Sequence, residues 1–146
     1  MKHLALIALA ATLMSAPAIA QQTGAAAYRT VPSETFHADR GGSVLIDVRE
    51  PSEWAETGVP EGARTISNSR DDFVAAVLAE LGGDRTKPVA VFCRSGTRSM
   101  RAAEKLTAAG FTNVTNVGDG MIGRDSVGKG WQAAALPLTP HVETGQ

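Results

Sequence analysis

Short apolar runs alternate along the chain with segments whose apolar residues recur at helical spacing. Residues 43–48 and 88–92 are largely apolar runs of strand length, and residues 113–117 (NVTNV) form a third segment of strand length with two valines. Residues 71–81 and 98–109 each place their apolar side chains on one face of a helix. Strands of this kind are buried on both faces of a sheet. The alternation therefore predicts an α/β domain with a central parallel sheet covered by helices on both sides.

Weaker patterns add short elements between these segments. The expected elements are a helix at 33–39 with Ser33 as its cap, a helix at 51–58, a strand at 63–66 and a short helix at 131–135. We assign residues 30–138 to one domain, 21–29 to a flexible leader and 139–146 to a tail.

The first twenty residues resemble a bacterial signal peptide. Lys2 precedes an apolar run of 13 residues, and small residues at Ala18 and Ala20 suit a signal peptidase. Spanning a bilayer takes about 20 apolar residues, so a membrane anchor is the weaker alternative and no stable membrane insertion is expected. Cleavage after Ala20 would place the mature protein in the periplasm or outside the cell.

Composition excludes several classes of protein. Of 146 residues, 43% are hydrophobic and 20% charged, which excludes a disordered chain. The formal net charge is −1, so nothing favours nucleic acid as a partner. Cys93 is the only cysteine, so the chain forms no internal disulfide. With only His37 and His141 beyond the leader, we expect no metal site and no cofactor.

The segment that follows the apolar run 88–92 carries candidate chemistry. Cys93 lies where the carboxyl end of a buried parallel strand is expected, which is where such sheets bind ligands. Arg94, Arg98 and the start of a helix would stabilise a thiolate and a small oxyanion. Gly96 would let backbone N–H groups face inward. Further donors in this loop are the hydroxyls of Ser95, Thr97 and Ser99.

The residues of this loop are compatible with two kinds of enzyme. The alternative without chemistry is an inert buried cysteine in a surface turn. One transfers sulfane sulfur; the other is a cysteine-dependent phosphatase or an arsenate reductase relative. Such phosphatases place five residues between Cys and Arg, whereas four separate Cys93 from Arg98. The shorter loop favours sulfur transfer. Asp119 and Asp125 are the residues to examine as general acids for a phosphatase.

Four segments resemble the single-domain rhodanese family. Residues 45–54 (LIDVREPSEW) resemble its first signature and residues 91–99 (VFCRSGTRS) its active-site loop. Residues 58–63 (GVPEGA) and 130–137 (GWQAAALP) resemble two weaker motifs in the same order. The chain departs from the family at Val59, where histidine is common, and at Ala135, where glycine is usual. Residues 123–129 look inserted, and they lie where they could reshape one wall of the site.

The resemblance implies a rhodanese-like fold with a five-stranded parallel sheet. It implies transfer of sulfur from thiosulfate, or a related small anion, to a thiophilic acceptor such as cyanide or a thiol, through a persulfide on Cys93. The acceptor could be another exported protein. Asp47 and Arg49 are expected to form a structural ion pair that supports the loop. The alternative is a module of the same fold that carries persulfide or docks a partner without catalysis.

Overall fold

The computed structural model describes residues 27–142. The predicted signal peptide, most of the leader and residues 143–146 lie outside this range and stay predictions. The strands are β1 (Tyr28–Val31), β2 (Val44–Asp47), β3 (Val59–Pro60), β4 (Arg64–Thr65), β5 (Val89–Phe92), β6 (Val114–Val117) and β7 (Leu138–Thr139). The helices are α1 (Ser33–Ala38), α2 (Pro51–Thr57), α3 (Phe73–Glu80) and α4 (Thr97–Ala108).

A five-stranded sheet in the order β1-β6-β5-β2-β4 forms the centre of the domain, and every pair of neighbours is parallel. β5 lies in the middle of this sheet, and all four of its residues are buried. This confirms the predicted parallel sheet and its number of strands. All of its carboxyl ends lie along one edge, which is where the loop after β5 begins.

Side chains on β5 point alternately into two hydrophobic cores. Val89 and Val91 pack in one core with apolar residues of α3 and α4. Ala90 and Phe92 pack in the other, with Phe36 of α1 and Trp131. Helices therefore cover both faces of the sheet, as predicted. The two tryptophans, expected in the core or at a subunit contact, are both buried, with Trp131 0% and Trp54 7% exposed.

Three local details differ from the sequence analysis. Tyr28 and Arg29, which we placed in the leader, form the first half of β1 and pair with β6. Ser33 is the first residue of α1 and not its cap, which is Pro32. Residues 131–135 form hydrogen-bonded turns instead of a helix. The backbone at Ala135 is left-handed, which is incompatible with a right-handed helix at that residue.

A two-stranded antiparallel sheet of β3 and β7 closes the chain beside the main sheet. Ala135 precedes it with φ +53°, the one non-glycine residue within 27–142 in the left-handed region. The motif that residues 130–137 resemble has glycine at this position. A Cβ in this conformation costs about 1–2 kcal/mol.

No helix within residues 27–142 has both the length and the apolar character needed to cross a bilayer.

Replacing Ala135 with glycine should stabilise the protein. Relief of the left-handed strain exceeds the extra entropy that glycine adds to the unfolded chain, and the net gain should be about 0.5–1 kcal/mol. Thermal unfolding should then shift up by about 2–4 °C. Ala133→Gly is the control, because Ala133 is exposed in the same segment without a positive φ, and it should lower stability. Equal destabilisation by both variants would contradict this account.

Candidate active site

Cys93 lies immediately after β5, at the carboxyl edge of the sheet, and is only 1% exposed. Its Sγ accepts a hydrogen bond from the backbone N–H of Gly96 at 3.1 Å. The thiol also donates to the Oγ of Ser99 at 3.4 Å. Ser99 is itself buried and donates to the carbonyl oxygen of Gly96 at 3.2 Å. The loop thus curls around the sulfur.

The curl of this loop depends on the absence of a side chain at Gly96. Its φ of +89° lies in the left-handed region that glycine adopts without strain. A Cβ at this position would collide with the carbonyl oxygen of Gly118. The loop and the segment after β6 can therefore approach each other this closely only with glycine here.

The segment after β6 forms the outer wall of the loop. The N–H of Met121 donates to the carbonyl of Cys93, and that of Ile122 to the carbonyl of Arg94, each at 3.0 Å. The carbonyls of Cys93 and Arg94 are therefore satisfied by protein. The N–H groups of Arg94 and Ser95, in contrast, donate to no acceptor within residues 27–142.

Asp119 holds this wall in place. Its Oδ1 accepts from the N–H and the Oγ of Ser33 at 2.8 and 2.6 Å, and its Oδ2 accepts from the N–H of Gly130 at 3.0 Å. The side chain is buried, and both oxygens accept hydrogen bonds from these partners. Asp119 is thus a structural acceptor and not a general acid beside Cys93. Asp125, the other candidate acid, is exposed on the turn after Gly123.

Arg98, the first arginine inside α4, is fully engaged by a carboxylate. Its two terminal nitrogens donate to the two carboxylate oxygens of Glu53 on α2 at 2.6 and 2.7 Å. Arg98 lowers the pKa of Glu53 to about 2, so the carboxylate is ionised at neutral pH. The pair ties the start of α4 to α2. Glu53 also accepts from the N–H of Glu50 at 3.0 Å, which completes a capping box on α2.

Asp47 and Arg49 form the ion pair that the sequence predicted. Their side chains are 0% and 1% exposed, with the closest N···O distance 2.8 Å. Burial raises the pKa of Asp47, and the hydrogen bonds from Arg49 oppose that shift. Arg49 also donates to Thr57 and to the carbonyl of Gly58, each at 2.9 Å. The pair therefore anchors the carboxyl end of α2 to the end of β2, and α2 in turn presents Glu53 to Arg98.

Arg94 is exposed and lines a cavity of about 260 Å³ beside the loop. The other lining residues are Arg49, Glu53, Glu56, Thr57, Met121, Ile122 and Gln132. Since Arg49 and Arg98 are paired with carboxylates, Arg94 supplies the available positive charge next to Cys93. None of residues 123–129 lines this cavity, whereas Ile122 before them and Gln132 after them do.

The remaining loop residues contribute less directly. Ser95 is half-buried and Thr97 is exposed. The N–H groups of Thr97, Arg98 and Ser99 begin α4 and have no acceptor within residues 27–142. Such groups carry the positive end of the helix dipole and favour an anion beside Cys93.

Residues 36–123 match the model of the family described as Rhodanese-like domain. The chain belongs to the rhodanese-like domain family. The match spans both β2, with the Asp47–Arg49 pair, and the Cys93 loop.

Named relatives of this rhodanese-like domain include a sulfurtransferase. The chain is 32% identical over 94 residues to the thiosulfate sulfurtransferase GlpE of Pseudomonas syringae, covering 64% of this chain and 83% of that protein. Sulfurtransferase is therefore the assignment at the level of the family.

Solved structures show the same fold. The crystal structure of Rv0390 from M. tuberculosis matches with a TM-score of 0.60 and 32% identity, covering 78% of this chain and 98% of that one. The solution structure of a polysulfide-sulfur transferase homodimer from Wolinella succinogenes has a TM-score of 0.57 and 27% identity, covering 83% and 85% of the two chains.

The roles of two residues of this rhodanese-like site were not predicted from the sequence. Glu53 was quoted only as part of the first motif, and Asp119 only as a possible acid. A carboxylate at the third position of a helix is a capping signal, but its pairing with Arg98 spans 45 residues and depends on tertiary placement. The available signal for Asp119 was a carboxylate two residues after the end of a buried strand.

We expect the Glu53–Arg98 pair to stabilise the protein at neutral pH and to lose this effect in acid. The pKa of Glu53 falls from 4.5 to about 2 on folding, so the stabilisation is complete above about pH 4.5 and disappears as the pH falls towards 2. Because the pair is partly exposed, its contribution should be about 1 kcal/mol. Urea unfolding of the wild type and Glu53→Gln from pH 7 to pH 3 measures it.

The matched control is Glu56→Gln on the same helix, since Glu56 is exposed and forms no ion pair within residues 27–142. It should change stability little at any of these pH values. If the difference in free energy of unfolding between the wild type and Glu53→Gln grew as the pH fell, the predicted loss of stabilisation in acid would be wrong.

Proposed function

We propose that this protein moves a sulfane sulfur from thiosulfate, or a related small anionic donor, to a thiophilic acceptor through a persulfide on Cys93. The observation that carries the proposal is the contact between the Gly96 N–H and the Cys93 Sγ at 3.1 Å inside a loop of unpaired N–H groups. These groups can stabilise an anionic sulfur without moving. Relatives named as thiosulfate sulfurtransferases support it.

The first half-reaction breaks one sulfur–sulfur bond and forms another. The Cys93 thiolate attacks the sulfane sulfur of thiosulfate, and sulfite leaves with the electron pair of the broken bond. Cys93 then carries an anionic outer sulfur. The Gly96 N–H and the start of α4 are placed to hold this charge, while Arg94 attracts the incoming dianion.

The second half-reaction returns the cysteine to its starting state. Cyanide or a thiolate attacks the outer sulfur, the bond to Cys93 breaks, and Cys93 leaves as a thiolate. The products are thiocyanate or a new persulfide on the acceptor. No outside oxidant or reductant is consumed, so no redox cofactor is needed.

A phosphatase is less well supported by the same geometry. Four residues between Cys93 and Arg98 make a smaller loop than such enzymes use. The guanidinium that would hold a phosphoryl group is bound to Glu53. The buried candidate acid, Asp119, already accepts hydrogen bonds from Ser33 and Gly130.

The persulfide is the most direct test of the proposal. Intact-protein mass should increase by one sulfur atom after thiosulfate treatment and return to its starting value on addition of cyanide. Cys93→Ser should show no mass change and no transfer, because a hydroxyl forms no persulfide, while its circular dichroism and unfolding curve stay close to wild type. Thiosulfate:cyanide activity retained by Cys93→Ser would refute the assignment, and faster hydrolysis of aryl phosphates than transfer of sulfur by the wild type would favour a phosphatase.

Arg94 should affect donor binding more than the chemical step. Arg94→Ala should raise the KM for thiosulfate about fivefold with little change in kcat, since an exposed charge contact contributes at most about 1 kcal/mol. Arg94→Lys should recover part of the loss. Lys87→Ala is the control: Lys87 is equally exposed but precedes β5, at the opposite edge of the sheet. An unchanged KM in Arg94→Ala would leave the backbone N–H groups as the whole anion site.

A further inference from the structure

The hydroxyl of Ser99 lies between two hydrogen-bond partners, one of which is the reactive sulfur. Its Oγ is 3.4 Å from the Sγ of Cys93 and 3.2 Å from the carbonyl oxygen of Gly96. Within residues 27–142, no other side chain hydrogen-bonds this sulfur. Ser99 is 0% exposed, so bulk water does not compete for these contacts. A hydroxyl has one proton to donate, so it can donate to the carbonyl or to the sulfur at any one time.

The protonation state of Cys93 decides which way this proton points. As a thiol, Cys93 donates to the Oγ of Ser99, and the hydroxyl donates onward to the carbonyl of Gly96. A thiolate has no proton to donate and can only accept. Hydrogen bonds to an ionised partner are about twice as strong as those between neutral groups. The hydroxyl therefore turns from the carbonyl to the sulfur when the sulfur carries charge.

The Gly96 carbonyl remains hydrogen-bonded after this rotation. It also accepts from the backbone N–H of Met100 at 3.1 Å, which is the first hydrogen bond of α4. Loss of the Ser99 hydroxyl therefore does not leave it as a buried acceptor without a partner, which would be costly. The Gly96 N–H keeps its own contact with the Sγ at 3.1 Å. The loop can thus place a second donor on the sulfur without breaking its backbone hydrogen bonds.

A hydroxyl that donates to the carbonyl three residues earlier is by itself an ordinary helix contact. Thr107, further along α4, donates to the carbonyl of Glu104 at 3.1 Å in the same way. It lies about 12 Å further along the helix axis than Ser99. Ser99 differs from Thr107 in having a reactive sulfur as its second partner. Thr107 is therefore a matched reference with the same backbone contact on the same helix.

We propose that Ser99 is a catalytic residue whose hydroxyl stabilises the negative charge that returns to the Cys93 Sγ when the persulfide bond breaks. This inference rests on the proposed function. In the persulfide, the charge lies on the outer sulfur and the Sγ is neutral. When the acceptor attacks the outer sulfur, the electron pair of the breaking bond moves to the Sγ. The Ser99 hydroxyl then donates a hydrogen bond to the Sγ and keeps its proton.

The two half-reactions should therefore depend differently on this hydroxyl. In the second, charge develops on the Sγ, so the hydrogen bond is stronger in the transition state than in the persulfide and lowers the barrier. In the first, charge leaves the Sγ as the thiolate attacks thiosulfate, so the hydrogen bond is weaker in the transition state than in the thiolate. Ser99 thus assists the departure of the cysteine thiolate and not its attack.

Single-turnover kinetics of each half-reaction tests this role. Ser99→Ala should slow transfer from the persulfide form to cyanide about tenfold. Its reaction with thiosulfate should not be slowed, when measured at a pH high enough to ionise Cys93 in both proteins. Thr107→Ala should leave both rates unchanged. Slowing of both half-reactions of Ser99→Ala by the same factor would overturn the inference, because it indicates general damage to the loop, and so would an unchanged rate of transfer to cyanide.

Alkylation by iodoacetamide tests the hydrogen bond without any sulfur transfer. The pH profile of Cys93 alkylation should move to higher pH by about one unit in Ser99→Ala, as a tenfold loss of thiolate stabilisation requires. Ser99→Thr keeps the hydroxyl and should keep the wild-type profile, since threonine also bonds the carbonyl three residues earlier in a helix. An unshifted profile in Ser99→Ala would contradict the inference. If the profile shifts but the wild type forms no persulfide, the proposed function fails, and the catalytic role of Ser99 fails with it.

Discussion

The bidentate pair between Glu53 and Arg98 joins the two halves of the site, and the placement of the loop depends on it. α4 begins at the end of the Cys93 loop, so any shift of its first turn moves the N–H groups around the sulfur. Glu53 fixes that turn from α2. α2 is fixed in turn by the buried Asp47–Arg49 pair at the end of β2. A chain of charged contacts thus connects two neighbouring strands of the sheet through their helices.

Pairing of this kind determines which charges remain available for chemistry. Two arginines in the loop, Arg94 and Arg98, suggest a strongly cationic site. Arg98, however, is paired with Glu53, and Arg49 outside the loop is buried against Asp47. What remains is Arg94 at the cavity, together with backbone N–H groups that need no reorganisation when charge develops on sulfur. A single available arginine and a loop with a short span suit a small sulfur anion.

Much of this architecture could be read from the sequence, and the exceptions have physical causes. β2 and β5 are recognisable as apolar runs, whereas the buried strand β6 contains Thr115 and Asn116 and is less distinct. The loop is recognisable from Cys93, Gly96 and the spacing to Arg98. β1 was missed because it is an edge strand whose middle residues, Arg29 and Thr30, are exposed, so its pattern is not apolar. Residues 131–135 have helix-forming alanines, but the left-handed backbone at Ala135 is set by the closing turn. Partners that are distant in sequence, such as Glu53 for Arg98, follow from the fold and not from local pattern.

A crystal structure of thiosulfate-treated protein tests the central claim most directly. The account predicts a second sulfur bonded to the Cys93 Sγ, enclosed by the loop, within hydrogen-bond distance of loop or α4 N–H groups, and with the Glu53–Arg98 pair intact. Thiosulfate bound without a new sulfur–sulfur bond, or an outer sulfur that points away from the loop N–H groups and contacts Arg98 released from Glu53, would contradict it.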